Sequence, residues 1–222
     1  FTDDRWLMFA TRNGTVKKTV LSAYGNVRST GINAINIDEG DALIDVQLCD
    51  ANSDIVLATQ DGMSIRFHQG DVREMGRATA GVKGIELDAE DAVIGMVIVR
   101  REATLLVVSE KGYGKRSELV EYRVQKRGGK GIITLKKTEK TGRMVALKEV
   151  IPDDELMMIT RHGVVIRVPV EGISVIGRNT QGVRVMNLDA GDNLVDVARV
   201  VKEDDNGTEE PTGDEAAAPA DE

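Results

Sequence analysis

Short apolar runs separated by glycine-containing polar turns recur along the whole chain. Residues before a turn glycine run apolar, as in Leu7–Ala10, and a second strand-forming run follows the turn, as in Val164–Val168. Asn13–Gly14 and Asp61–Gly62 are two-residue hairpin signals, because both central positions of a type I′ turn need positive φ. No stretch carries the 3.6-residue apolar stripe of a helix. The pattern therefore predicts an all-β fold.

A single repeating unit accounts for most of the chain. Each hairpin is followed by an alternating run, such as Gly31–Ile37, and by a final apolar run, such as Ala42–Val46, which predicts four short strands per unit. Units of this kind are typical of the blades of a β-propeller or a close relative, which must pack on their neighbours to bury their faces. The turn glycines are 48, 50 and 51 residues apart, at Gly14, Gly62, Gly112 and Gly163. The four repeats span residues 5–50, 54–100, 104–151 and 155–202.

An acidic turn precedes the last predicted strand in three of the four repeats. These turns are Ile37–Asp41, Leu87–Asp91 and Leu188–Asp192. The third repeat departs from the pattern, because Lys136–Gly142 stands at the same place. The third repeat is therefore the exception at this turn.

The formal net charge of −8 hides two regions of different character. Residues 203–222 contain nine acids and no base, and they are rich in Ala, Gly and Pro without any large apolar side chain. Such a composition predicts a disordered acidic tail. The other 202 residues hold 28 acids and 29 bases, a net charge of +1, and form the predicted β domain at residues 1–202.

Two basic positions recur at a fixed distance from the turn glycine. One lies four residues after that glycine, and the other, always an arginine, lies fourteen or fifteen residues after it. Blades need neither base, and equal positions of successive blades project from equivalent points, so we expect a belt of positive charge on one outer edge. Such a belt neutralises phosphates and releases counterions, the dominant sequence-independent term in DNA binding. The predicted DNA-binding bases are Lys18, Arg66, Arg116 and Arg167 in the first set, Arg28, Arg77, Arg127 and Arg178 in the second, and the adjacent Lys17 and Lys115.

The densest basic segment lies in the third repeat. Glycines let backbone N–H groups approach a phosphate closely, while Lys and Arg add charge and donors. A flexible, solvated basic loop is the alternative interpretation. Lys83 and Arg184 are open to two interpretations, as DNA contacts or as solvated strand positions. The residues of this segment predicted to bind DNA are Arg123, Gln125, Lys126, Arg127, Gly128, Gly129, Lys130 and Gly131.

Metal and membrane functions are not indicated by the sequence. Cys49 is the only cysteine, which fits a reducing cytoplasm, and its flanks predict a small buried hydrophobe. With His68 and His162 it lacks the spacing of a metal site. No run of 18 apolar residues exists, so we expect no membrane span. The chain starts at Phe1 without methionine or a signal peptide, which we interpret as a piece cut from a longer protein.

Tyrosines are predicted to be structural. Tyr24 and Tyr122 occupy a repeated apolar position ten residues after the turn glycine, where the other repeats have Val72 and Ile173. A repeated apolar position is expected in the core. Tyr113 follows the turn glycine of the third repeat and is expected to pack near the loop. Since no nucleophile–base–acid arrangement or phosphate-binding loop appears, we expect no catalytic residue in this chain.

Four segments together resemble the C-terminal domains of bacterial DNA gyrase A subunits. They are Gly14–Thr19, Gly112–Arg116, Gly177–Gly182 and the heptad Gln125–Gly131. The resemblance covers residues 1 to about 202. The heptad differs at one position from the family's signature Q-R-R-G-G-K-G, and it lies in the third repeat, whereas the family carries the signature in its first blade.

The resemblance implies a β-pinwheel, a propeller-like disc with strand exchange between neighbouring blades, which bends DNA around a basic rim. Complete domains of this family usually have six blades, so the four repeats are expected to be the third to sixth. The parent protein implied is an ATP-dependent type II topoisomerase of the cytoplasm and nucleoid that introduces negative supercoils. It would use ATP and Mg through other domains, and it would assemble with the gyrase B protein and a second gyrase A protein through regions outside this chain. No cofactor is expected within the chain itself.

Two alternatives remain open at this point. The homologous domain of topoisomerase IV, which generally has fewer blades and lacks the signature heptad, would select DNA segments instead. A protein-interaction propeller would use the basic rim to recruit an acidic partner, although an aromatic content of 3% is low for such a surface. A further hypothesis is that the acidic tail competes with DNA as a tethered polyanion. A plain solubilising tail is its alternative.

Overall fold

The computed structural model describes residues 1–99 and 102–200, and the acidic tail predicted at 203–222 lies outside them. The described part is all-β, as predicted, with fifteen strands and four single-turn 3-10 helices. No helix in it has the length and apolar character to cross a membrane. The strands are β1 (Trp6–Thr11), β2 (Thr15–Val20), β3 (Leu43–Cys49), β4 (Asp54–Thr59), β5 (Met63–His68), β6 (Val82–Lys83), β7 (Val93–Val99), β8 (Thr104–Ser109), β9 (Tyr113–Glu118), β10 (Ile132–Ile133), β11 (Met144–Val150), β12 (Glu155–Thr160), β13 (Val165–Pro169), β14 (Val183–Arg184) and β15 (Leu194–Val200). The 3-10 helices are Leu21–Tyr24, Gln69–Asp71, Leu119–Glu121 and Val170–Gly172.

Each repeat supplies a hairpin and one longer strand to an antiparallel sheet, which we call a blade. In the first repeat the hairpin joins β1 to β2, and β3 pairs with the other side of β1. The hairpin turn requires glycine, because Gly14 has a φ of 84°. The strand order is β3-β1-β2-β6 in blade 1, β7-β4-β5-β10 in blade 2, β11-β8-β9-β14 in blade 3 and β15-β12-β13 in blade 4.

The fourth strand of blades 1 to 3 comes from the following repeat. β6 belongs to the second repeat but pairs with β2 of the first, with Val82 opposite Val16. β10 and β14 cross to β5 and β9 in the same way. The prediction that the alternating run after the second glycine is the third strand of its own unit is therefore wrong, because only two residues of it form a strand and they pair with the preceding blade. They make the exchange that the family resemblance implies.

The same backbone hydrogen bonds accompany the strand exchange at each of the three blade boundaries. The carbonyl of the turn glycine accepts two amides from the next repeat. At the first boundary Gly14 O accepts from Gly84 N at 2.8 Å and from Ile85 N at 3.3 Å. Gly62 O and Gly112 O accept the equivalent pairs, from Thr134 and Leu135 and from Val185 and Met186. Neighbouring blades are therefore linked through their backbones as well as their side chains.

The hydrophobic core lies between the blades. In the first cluster Met8 and Val16 of blade 1 pack with Ile55, Phe67 and Ile85 of the second repeat. Equivalent clusters join the second repeat to the third and the third to the fourth. Each fully buried side chain of this size contributes about 1.5–3 kcal/mol. A blade alone would expose this surface, so the blades depend on one another for stability.

The predicted core tyrosines and the cysteine are buried as expected. Tyr122 is 1% exposed, and its hydroxyl lies 2.6 Å from Thr134 Oγ1. Burial raises the pKa of the Tyr122 phenol. Tyr24 and Cys49 are also buried. Their burial confirms the core interpretation of the sequence.

The blades form an arc with an inner and an outer side. The inner strands β3, β7, β11 and β15 pack side by side at the hub. Since β6, β10 and β14 are at the opposite end of their sheets, they lie at the outer edge. We call this edge, with the loops that lead into it at residues 73–81, 123–131 and 174–182, the outer rim.

At each end of the arc, one side of the strand exchange has no partner among the described residues. At the end formed by blade 4, β13 pairs with β12 alone among the described residues, and a Cβ added at Gly163 would meet no atom within 4 Å. At the other end the same holds for Gly31, which precedes the first repeat's counterpart of the exchanged strand. Inside the arc, a Cβ at Gly131 would overlap the Ser64 carbonyl oxygen. The glycines are thus needed for close approach where a neighbouring blade is present.

Candidate nucleic-acid interface

The second set of predicted bases lies on the outer rim. Arg127 donates from Nε to Asp71 O at 2.8 Å and from Nη1 to Lys83 O at 2.9 Å. Arg178 donates from Nη1 to Ile133 O at 2.8 Å. Lys83 and Ile133 occupy the same position of the exchanged strands β6 and β10. Each arginine is therefore anchored to the preceding blade, and most of its five N–H donors remain for an anion.

The first two repeats bring a pair of these arginines together. Arg28 and Arg77 line one cleft of about 700 Å³, along with the side chains of Asn26 and Asn33. Arg28 is exposed and Arg77 is half-buried. Two guanidinium groups and two amides around an open cleft offer several donors to a phosphate oxygen. The cleft is a candidate phosphate site at the first blade boundary.

The basic heptad of the third repeat forms the rim between blades 2 and 3. Lys126 and Lys130 are exposed, and Lys130 Nζ lies 3.0 Å from Asp88 Oδ1. This hydrogen bond raises the pKa of Lys130, so the ammonium stays charged at neutral pH. Arg123 is also exposed just before the heptad. The loop thus presents several positive charges to solvent within a short stretch of chain.

The heptad glycines serve packing between blades, which corrects part of their predicted role. Gly128 N donates to Gly84 O at 2.6 Å, so this amide is already used within the protein. Gly131 has a φ of 78° and leaves no room for a Cβ beside Ser64. Gly129 O accepts from Glu86 N at 2.9 Å. We interpret these glycines as the means by which the basic loop lies close to the preceding blade.

Gln125 also lies at the blade boundary rather than on the free surface. Its backbone N–H donates to Arg66 O at 2.8 Å, and the residue is half-buried. The side-chain Nε2 is buried without a hydrogen-bond acceptor. Direct contact with a phosphate is therefore not favoured by its position.

Three of the four bases of the first set point between blades, contrary to the prediction that they project outward. Lys18 Nζ donates to Gln69 O at 3.1 Å and to Gln69 Oε1 at 2.7 Å. Arg116 Nε donates to Ile173 O at 2.8 Å. Lys18 and Arg116 are each 7% exposed, and burial lowers the pKa of both. The reason is that the position faces the 3-10 helix of the next repeat and the residue after it, whose carbonyls accept these side-chain donors.

Arg66 and Arg167 show what decides the role of this position. Arg66 Nη1 donates to Leu119 O at 2.9 Å and Tyr122 O at 3.3 Å in the next repeat, and its Nη2 lies 2.8 Å from Asp54 Oδ2. Arg167 has no following blade among the described residues; it is exposed and pairs with Glu155 of its own hairpin. Only Arg167 of this set is fully on the surface.

Lys17 and Lys115 are buried, which corrects their predicted exposure. Lys17 Nζ donates to Ala34 O at 2.5 Å and Arg77 O at 2.6 Å, and it lies 5.0 Å from the centre of the Phe9 ring. Lys115 Nζ donates to Gly177 O at 2.5 Å and to Arg178 O. Burial lowers the pKa of each lysine to about 8. Each ammonium therefore holds the backbone of a rim arginine, at Arg77 or Arg178, from inside.

The acidic turns also have a structural role. Asp41 Oδ1 accepts the amide of Asn13 at 2.8 Å, and Asp91 Oδ1 accepts that of Asp61 at 3.0 Å. Asp192 does the same for the amide of His162. In the third repeat the carbonyl of Thr141 replaces the carboxylate, accepting from Lys111 N. The exception seen in the sequence therefore keeps the contact and removes the charge.

Several rim bases were not assigned to the interface from the sequence. Lys83 and Arg184 lie on the exchanged strands and are exposed, which settles their position though not their role. Lys136 follows β10 and is exposed, with its amide donating to Thr180 O. Lys140 is exposed in the exceptional turn of the third repeat. The sequence could have indicated Lys83 and Arg184 only if the exchanged strands had been paired with the hairpin of the preceding repeat, because that pairing places both residues at the outer edge.

Comparison with known proteins gives a consistent family. The family model for the DNA gyrase C-terminal domain, beta-propeller, matches residues 5–50, 53–100, 103–150 and 154–200. The DNA gyrase A protein of Haloquadratum walsbyi is 43% identical over 206 residues, which are 92% of this chain and 24% of that protein. The chain spans about a quarter of the length of the curated relatives it matches.

Solved structures agree with the family model. A structure of the DNA gyrase A C-terminal domain matches with a TM-score of 0.80 at 27% identity, covering 90% of this chain and 67% of that one. The crystal structure of the C-terminal domain of DNA topoisomerase IV matches with a TM-score of 0.83 at 25% identity, covering 89% and 62%. The predicted β-pinwheel of four repeats is thereby confirmed, with four strands in blades 1 to 3 and three described strands in blade 4.

Proposed function

This chain belongs to the family of DNA gyrase C-terminal β-propeller domains, and from this premise we propose that its outer rim binds duplex DNA and bends it along the arc of blades. The observation that carries the proposal is the arginine anchored at the outer edge of successive blade boundaries. Arg127 and Arg178 are held by equivalent carbonyls of the preceding blade, and Arg77 lies at the corresponding place beside Arg28. Pre-positioned guanidinium groups lose little freedom when they bind phosphate.

The binding proposed is insensitive to DNA sequence. The rim offers charged side chains to the phosphate backbone, and phosphate contacts carry no base information. The bases proposed to contact DNA are Arg28, Arg77, Arg123, Lys126, Arg127, Lys130, Arg167 and Arg178, with the exposed Lys83 added. Lys17, Lys18, Arg66, Lys115 and Arg116 support the same surface from within.

A salt titration of duplex binding tests this proposal. For B-DNA the slope of log K against log salt is about −0.9 per neutralised phosphate. We expect a steep negative slope for the intact chain, and a slope less steep by up to about 2.7 for the Lys126→Ala/Arg127→Ala/Lys130→Ala variant. The loss of affinity should be equal on unrelated duplex sequences.

A base at the hub provides the control. Lys148 lies half-buried on inner strand β11, at the opposite end of the blade from the rim. Lys148→Ala should leave the slope close to that of the parent chain. If the slope of log K against log salt is close to zero for the parent chain, the proposal is refuted. Tight binding of an acidic protein without DNA binding would favour the protein-interaction alternative.

The whole protein's activity is proposed from the family. We infer a gyrase A protein of the cytoplasm and nucleoid, acting with the gyrase B protein and a second gyrase A protein in an ATP-dependent type II topoisomerase. ATP and Mg would be bound by other domains. The wrap would present one duplex segment to another with fixed handedness, which biases strand passage toward negative supercoils.

Topoisomerase IV is the second candidate, because its C-terminal domain matches with a TM-score of 0.83. The near-match of Gln125–Gly131 to the gyrase signature heptad argues for gyrase instead. Supercoiling by the full-length enzyme separates the two. Gyrase introduces negative supercoils into relaxed plasmid, and an enzyme that only relaxes or decatenates would support the second candidate.

A further inference from the structure

A compact group of bases surrounds Tyr113 where the third and fourth repeats meet. Tyr113 begins β9 and stands opposite Arg184 of the exchanged strand β14. Arg184 Nη2 donates to the Tyr113 hydroxyl at 2.7 Å, and its Cζ lies 5.1 Å from the ring centre. Lys140 Nζ lies 5.0 Å from the same ring centre. The ring is 6% exposed, whereas Lys140 and Arg184 are exposed.

A third base lies beside this pair. Lys111 Nζ donates to the carbonyl of Glu139, the residue next to Lys140. Lys111 and Arg184 line one cleft of about 360 Å³, together with Asp192 and Asn193. The Asp192 carboxylate already accepts the amides of His162 and Asn193. The cleft therefore has two bases and one carboxylate, already hydrogen-bonded to backbone amides, at its wall, and room for a phosphate group.

The tyrosine explains how like charges are held close together. The face of an aromatic ring carries negative potential and attracts cations within about 6 Å. The hydroxyl oxygen adds an acceptor for the guanidinium. At the same position the other repeats have Thr15, Met63 and Val164. Of the four repeats, the third alone offers an aromatic support at this point.

The bases of this group arise from the exceptional turn of the third repeat. In the second repeat the corresponding stretch carries four acids, at Glu86, Asp88, Glu90 and Asp91. In the third it carries three bases and one acid, at Lys136, Lys137, Lys140 and Glu139. The change reverses the sign of the local field while the backbone contact to the hairpin is kept by Thr141.

We propose that Lys140 and Arg184, supported by Tyr113 and flanked by Lys111, form an additional binding site for a backbone phosphate of duplex DNA. The site rests on the proposed function, since it lies beside the exchanged strand β14 and continues the outer rim. It places a phosphate contact at the third blade boundary, beyond the arginine at Arg178.

A salt titration with paired variants tests the site. Lys140→Ala/Arg184→Ala removes two charges, so we expect the slope of log K against log salt to become less steep by about 1.8. Lys140→Arg/Arg184→Lys keeps both charges and should retain most of the slope. Lys148→Ala, at the hub, is the matched control and should not change it.

Folding and function are kept apart by two further measurements. Thermal unfolding reports whether the double variant is folded. The single change Lys140→Glu alters an exposed side chain and keeps the hydrogen bond from Arg184 to Tyr113 Oη. Lys140→Glu should also flatten the slope. If the parent chain binds DNA with a steep slope and both variants keep that slope, the additional site is refuted while the proposed function stands.

Discussion

At the scale of single residues, the same side chain at the same place in a repeat does different work according to its neighbour. Arg66 and Arg167 both lie four residues after a turn glycine. Arg66 donates to two carbonyls of the next repeat, whereas Arg167 pairs with Glu155 of its own hairpin. The repeated base is thus a link between blades wherever a following blade exists.

This difference predicts unequal stability changes for the two alanine variants. Arg66→Ala removes the donor shared by Leu119 O and Tyr122 O and the partner of the largely buried Asp54, so the free energy of unfolding should fall by about 2–3 kcal/mol. Arg167→Ala removes a pair whose arginine is exposed and which holds no carbonyl of another blade, so it should cost about 1 kcal/mol or less. Urea unfolding of the two variants in parallel checks this. Equal losses of stability would contradict the role of Arg66 as a link between blades. Weaker DNA binding by Arg66→Ala with unchanged stability would instead indicate that Arg66 contacts DNA.

Sequence reasoning found these bases but misjudged their exposure for a physical reason. Lys17 and Lys18 are consecutive strand residues, so their side chains point to opposite faces of the sheet. In a sheet with one solvated face, one of them would be exposed. Both are buried here, because Lys17 Nζ reaches carbonyls of its own repeat and of the next one, and Lys18 Nζ reaches Gln69 of the next repeat. A pattern of single residues does not show that both faces are covered.

At the scale of strands, sequence reasoning identified the elements better than their partners. The hairpins, the inner strands and the buried position of Tyr122 follow from apolar runs and turn glycines, and all are present. The exchanged strand was assigned to its own blade. An alternating pattern assigns side chains to faces but leaves the pairing partner open. The second glycine of the last three repeats, at Gly81, Gly131 and Gly182, carries that information, because it must approach a carbonyl of the preceding blade.

A comparison of two equivalent glycines measures how much stability depends on the close contact between the second glycine and the preceding blade. Gly31 and Gly131 have φ values of 80° and 78°, so alanine should cost the same backbone strain at both, about 1–2 kcal/mol. At Gly131 the new Cβ would also overlap the Ser64 carbonyl oxygen, whereas at Gly31 it would meet nothing. We expect Gly131→Ala to be less stable than Gly31→Ala by about 1–3 kcal/mol. Thermal and urea unfolding measure the difference, and equal destabilisation would mean that β10 is not held against β5 as described.

At the scale of the whole molecule, the distribution of charge matters more than its sum. Three acids of the turns, Asp41, Asp91 and Asp192, accept backbone amides. The exposed bases of the outer rim include Lys83, Arg123, Lys126 and Lys130, whereas Arg161 and Arg199 are exposed elsewhere. A nearly neutral domain can therefore present a positive edge to a polyanion. Composition alone gave the charge of the domain, but the position of the edge required the strand exchange.

The curvature of the arc leads to a prediction about the energy of the bound DNA. Smoothly bending a site of 20–30 base pairs by 40–90° costs about 1–6 kcal/mol. If the rim bends the duplex, part of the energy of its phosphate contacts offsets this cost. A duplex with a short single-stranded gap at its centre bends freely. It should therefore bind more tightly than the intact duplex of the same length, by about fivefold or more.

Fluorescence anisotropy with the two duplexes in the same salt measures this ratio, and energy transfer between dyes at the duplex ends reports the bend itself. The Lys126→Ala/Arg127→Ala/Lys130→Ala variant is the control, because it loses contacts at the second blade boundary and should bend the intact duplex less. Removing those contacts should leave the preference for the gapped duplex smaller than in the parent chain. Equal affinity for both duplexes, with no change in energy transfer on binding, would mean that the rim holds DNA as a straight rod and that the blades do not act in series.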